Sequence, residues 1–107
     1  MTFRARLMPR AEQDAWQIFY WIAERSPEGA TRWREALATA LLKLSVDPHG
    51  YGLAPEAELT EFKLQQFLFK TRRGKTYRGV FVIIEDEVRI LRIRGPGQAP
   101  LSSDDFE

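Results

Sequence analysis

The sequence predicts an α+β fold of two layers, a helical hairpin packed on a mainly antiparallel, twisted sheet, with the order β-α-α-β-β-β. Three observations carry that expectation. Two stretches in the first half repeat apolar residues at helical spacing across one tight turn. The second half holds apolar, β-branched and aromatic runs divided by turn residues. At 107 residues the chain has room for one modest core, so the helical stripe and the sheet must bury each other.

Phe3 to Met8 sets Phe3, Ala5 and Leu7 against Arg4, Arg6 and Met8, a period of two that predicts a short strand. Pro9 suits the first position of a helix, where its missing N–H costs nothing. Ala15, Ile18, Phe19 and Ile22 then recur at helical spacing up to about Arg25. Trp16, Tyr20 and Trp21 form an aromatic flank wider than one buried stripe absorbs. They either pack on the second helix or the sheet, or stay exposed and receive a partner protein.

Ser26-Pro27-Glu28 stops one helix and starts the next: the serine caps, the proline opens, and the glutamate sits at the positive end of the dipole. Trp33, Leu37, Ala40, Leu41 and Leu44 make a core stripe that ends near Asp47, because Pro48 cannot continue it. Asp47 to Pro55 reads as a loop. Its His49 is the sole histidine and is assigned no role. Glu58 to Phe62 allows a short helical turn, and Gln66 to Thr71 a strand. Arg73-Gly74 is hairpin chemistry, and Thr76 to Ile84 is apolar on both faces and therefore central. Glu85-Asp86-Glu87 turns the chain into Val88 to Arg94, which Gly95-Pro96-Gly97 ends. Residues 1–98 are read as one domain and 99–107 as an acidic tail, expected to be partly disordered.

Composition excludes several classes of chemistry. Without cysteine there is no disulfide framework, thiol catalysis or cysteine metal site, which fits a reducing compartment. The N-terminus lacks the apolar core of a signal peptide and no run is long enough to span a bilayer, so the expectation is a cytoplasmic protein without membrane contact. No nucleotide-binding glycine loop, metal-ligand cluster or nucleophile-base set appears, and no cofactor or metal is expected.

What remains is charge. Lys63 to Arg94 holds nine basic residues against three acidic ones, whereas the whole chain carries only +1. The candidate target-binding or phosphate-binding set is Lys70, Arg72, Arg73, Lys75, Arg78, Arg92 and Arg94. Arg78 stands out because it lies inside the central strand, where an arginine needs either an internal carboxylate, such as Glu85 or Glu61, or a phosphate.

The layout MPRAEQDAWQIFYWIAERSPEGATRWREAL, followed by FLFKTRRGKTYRGVFVIIEDEVRILRIRGPGQ, resembles the RelE/ParE superfamily of bacterial toxins, often described as plasmid stabilisation proteins. The similarity spans roughly residues 4 to 98, most specifically in PRAEQD, IAERSPEGA, YRGVF and VRILRIR. The resemblance implies a growth-inhibiting toxin neutralised by a cognate antitoxin, for which Trp16, Tyr20 and Trp21 are the candidate contact residues. It also implies one of two targets: mRNA on the ribosome for RelE-like nucleases, or DNA gyrase for ParE-like inhibitors. Arg78 matches the arginine that contacts the reacting phosphate in the nucleases, and Lys70 corresponds loosely to lysines on their preceding strand. Gly95-Pro96-Gly97-Gln98 stands where they carry a further arginine, and the tail has neither tyrosine nor histidine for proton transfer. That departure and the low net charge favour inhibition of gyrase by binding. The alternatives are a ribosome-dependent endoribonuclease, with Arg78 and Arg94 at the phosphate, and a degenerate member that only binds antitoxin.

Overall fold

The most apolar strand lies inside the sheet, where both of its faces are covered. In this computed structural model, which describes residues 2–99 and 101–106, the elements are β1 (Arg4–Leu7), α1 (Pro9–Ala23), α2 (Pro27–Val46), β2 (Gln65–Phe69), β3 (Tyr77–Ile84) and β4 (Glu87–Arg94). Short 3-10 turns occupy Pro48–Gly50, Pro55–Leu59 and Ser103–Phe106. The sheet order is β1-β4-β3-β2, with β1 parallel to β4 and the other pairs antiparallel. The predicted two-layer α+β architecture is the observed one. No helix among the described residues is long and apolar enough to cross a membrane.

The helical hairpin covers one face. Ile18, Trp33, Leu37 and Leu44 bury against Phe67, Phe69, Phe81, Val88, Ile90 and Ile93. Ser26 opens α2 as the sequence predicts, its Oγ accepting from the Gly29 N–H at 3.0 Å. Phe67 lies over Gly79, its cross-strand partner, and a Cβ at Gly79 would stand 2.3 Å from the ring. Only glycine admits the ring so close to the backbone.

The opposite face carries a second cluster of Ala54, Leu64, Val80, Val82 and Leu101, with Phe106 packed on it. This is why Thr76 to Ile84 is apolar on both faces. The cover on this side comes from irregular chain, the 3-10 turn at Pro55–Leu59 and the C-terminal residues. The expected turn at Glu58 to Phe62 begins three residues earlier, because Pro55 sets the backbone for it.

The tail differs from expectation. Leu101 is buried, and Asp105 accepts from the Arg92 guanidinium at 2.7 Å and from Arg10 at 3.4 Å. Its other oxygen takes the Ser102 N–H at 2.7 Å. The cations that hold it sit on β4 and α1, far away in sequence, so the tail read in isolation looks only charged and soluble. Pro100 and Glu107 lie outside the described residues.

The Asp105 carboxyl is held below the usual aspartate range, first by the Ser102 N–H and then by Arg92, against the opposing effect of desolvation. A depressed folded-state pKa stabilises docking above the unfolded value of about 3.9, and that contribution is lost as pH falls through the folded value. Acid titration followed by NMR is expected to free the Leu101 and Phe106 signals below about pH 4. Asp105→Asn is expected to loosen them at neutral pH.

Candidate functional site

Arg78 belongs to the face of β3 that carries Val80 and Val82, away from the helices. Its register partner on β4 is Arg94. Two guanidinium groups directly opposite one another repel, so this pair needs a carboxylate. Glu56, from the Pro55–Leu59 turn, supplies it. Its Oε1 accepts from Arg78 Nη1 at 2.8 Å, its Oε2 accepts from Nη2, and Gln66 Oε1 lies 3.3 Å from the same Nη1. Glu56 is 6% exposed, and the bond from Arg78 holds its carboxyl below the usual range in spite of desolvation, with Arg94 adding to the effect.

Arg94 donates to the Ala99 carbonyl, while its Nε is buried without a partner among the described residues. With Pro55, Gly95 and Gln98 these groups line a cleft of about 410 Å³. The sequence singles out Arg78 but not its partner. Glu85 sits instead in the β3–β4 turn, with φ 58, and Glu61 is exposed. Glu56 falls between the expected Asp47–Pro55 loop and the expected Glu58–Phe62 turn, and its one local signal is an acid in a proline-initiated turn.

Arg92 does not join this group. It is 8% exposed, with Nε 2.7 Å from Asp14 Oδ2, Nη2 3.0 Å from Asp14 Oδ1 and Nη1 2.7 Å from Asp105 Oδ1. The same Asp14 Oδ2 accepts the Ile93 N–H at 2.9 Å. The reason is the reach of β1. It pairs with β4 only as far as Ile90, and α1 covers the edge beyond it, with Asp14 taking the place of a strand partner. Past the register shift at Val80/Phe81, Arg92 opposes Val80 and Arg94 opposes Arg78 in continuous register, so the two share a face and only the carboxylates around Arg92 set it apart. Arg92 is thus spent on internal packing rather than presented to a phosphate.

Lys70, Arg72, Arg73 and Lys75 lie in the β2–β3 connection, all exposed and without a carboxylate partner among the described residues. They make a purely cationic surface.

The aromatic flank of α1 is in water. Trp16, Tyr20 and Trp21 are 51%, 59% and 56% exposed. Ala11, Ile18 and the half-buried Ala15, Phe19 and Ile22 already fill the core-facing stripe, which leaves the flank outside. Trp16 and Tyr20 stack with centroids 5.5 Å apart, and the Arg25 guanidinium lies 3.8 Å above the Trp21 ring. The three rings form one exposed apolar patch on α1.

A family model described as the ParE toxin of the type II toxin-antitoxin system, parDE, matches residues 5–100. No curated protein matches the chain. Among solved structures, the toxin-antitoxin complex RelBE2 from Mycobacterium tuberculosis contains a similar chain, with 24% identity and a TM-score of 0.48. The alignment covers 89% of this chain and 99% of that one.

Proposed function

Because the chain belongs to the ParE toxin family of type II toxin-antitoxin systems, we propose that it inhibits a cellular target by binding, DNA gyrase rather than mRNA on the ribosome, and that a cognate antitoxin neutralises it. The observation that carries this reading is the state of Arg78. Its guanidinium fork is engaged by the buried Glu56 carboxylate, the same geometry a phosphate would use. Binding a phosphate there means separating a desolvated pair, and a buried charge left alone is costly. The charge that is free to meet a partner lies on Lys70, Arg72, Arg73 and Lys75, and it suits an acidic protein surface. The exposed flank of Trp16, Tyr20 and Trp21 is the seat we assign to the antitoxin. Residues 1–98 serve as the toxin domain, and 99–107 are its acidic C-terminal tail.

Antitoxin-free protein is expected to inhibit supercoiling by gyrase in vitro. Replacing Lys70, Arg72, Arg73 and Lys75 together by alanine is expected to weaken inhibition by about tenfold or more, chiefly through slower association. Supercoiling that proceeds at full rate with native protein in excess contradicts the proposal.

One observation favours a second reading. A carboxylate beside two arginines in an open cleft is the inventory of a general base with phosphate clamps, and Glu56, Arg78 and Arg94 provide it. Cleavage of mRNA on translating ribosomes, reduced about 10²-fold or more in Glu56→Gln, would transfer the assignment to that cleft.

A further inference from the structure

A cavity of about 500 Å³ opens between the helical hairpin and the β2–β3 connection, and the Gly95–Gln98 turn borders both it and the Arg78 cleft. That volume is in the range of small-molecule sites. Trp21, Ile22, Trp33 and Tyr77 give it an apolar, largely aromatic wall. Arg32 from α2 and Lys75 from the β2–β3 connection add two positive charges. Neither has a carboxylate partner among the described residues, and no acidic residue lines the space. Trp33 is 3% exposed, and its indole Nε1–H is a buried donor without an acceptor among the described residues.

A concave aromatic wall with two unpaired cations at its rim suits a flat anion. We propose that the cavity binds a small aromatic carboxylate. The ring is received by Trp21, Ile22 and Tyr77, and the negative charge is met by Arg32 and Lys75. Aromatic faces favour a flat apolar body, and the unpaired cations select an anion over its neutral isostere. This assignment goes beyond the toxin reading, with which it shares Trp21 and Lys75.

The test uses the full chain, with naphthylacetate and its uncharged amide as probes, in calorimetry and in NMR spectra that resolve the tryptophan indole signals. The acid is expected to bind about tenfold or more tightly than the amide and to shift the Trp33 indole signal. Arg32→Ala and Lys75→Ala, at exposed positions that leave the core intact, are each expected to remove about threefold or more of that advantage. Equal binding of acid and amide, the behaviour of an apolar seat for a partner's side chain, overturns the proposal. So does the absence of heat and of shifts at about 5 mM acid, a concentration beyond ordinary small-molecule affinities. Shifts confined to Arg78 and Arg94 place the anion in the other cleft and overturn it equally.

Discussion

Asp14→Ala is expected to lower unfolding free energy by about 3–5 kcal/mol, the usual cost of leaving one half of a buried ion pair alone. Arg92 would keep only Asp105, and the Ile93 amide would lose its acceptor as well. Urea unfolding measures the loss. Asp14→Asn keeps an acceptor for Ile93 and is expected to fall between. The double change Asp14→Leu with Arg92→Met removes both charges and is expected to cost less than Asp14→Ala alone. A loss below about 1 kcal/mol in Asp14→Ala, the size of an exposed pair, would mean that the tail carboxylate suffices to hold Arg92.

Trp16→Ala combined with Tyr20→Ala is expected to weaken antitoxin binding by about 10²- to 10³-fold, since buried aromatics at an interface centre cost about 2 kcal/mol or more each when truncated. Both rings are more than half exposed in the free chain, so the same double variant should unfold at nearly the native temperature. That separation of effects is what distinguishes a contact surface from misplaced core. Calorimetry with the cognate antitoxin checks it, and a loss below about threefold would move the seat off this flank.

How far the sequence carries follows from the range of each interaction. Ser26-Pro27 marks the α1–α2 junction without ambiguity, because a helix cap is settled within four residues. The two-faced apolar run of β3 announces a central strand, since burial on both sides leaves its mark on every residue. Arg78 is legible as an anomaly, but Glu56 is not its partner by any local rule, being 22 positions away on a turn without periodicity. Arg92 shows the same limit from the other side. Its spacing matches Arg94, and only the short reach of β1 leaves it beside Asp14, 78 positions away. The fate of Trp16, Tyr20 and Trp21 depends on how much core α1 can offer them. That is a property of the assembled layers rather than of the helix.

The parallel pairing of β1 with β4 has a consequence for how the chain is made. Arg4 finds Glu87, and Leu7 finds Ile90, so β1 is completed by a strand about 80 residues later in the chain. The helical hairpin is local and can form early, whereas closing so long a loop is slow and needs nearly the whole chain in hand. During synthesis the apolar stripes of α1 and α2 therefore wait for β4 to cover them.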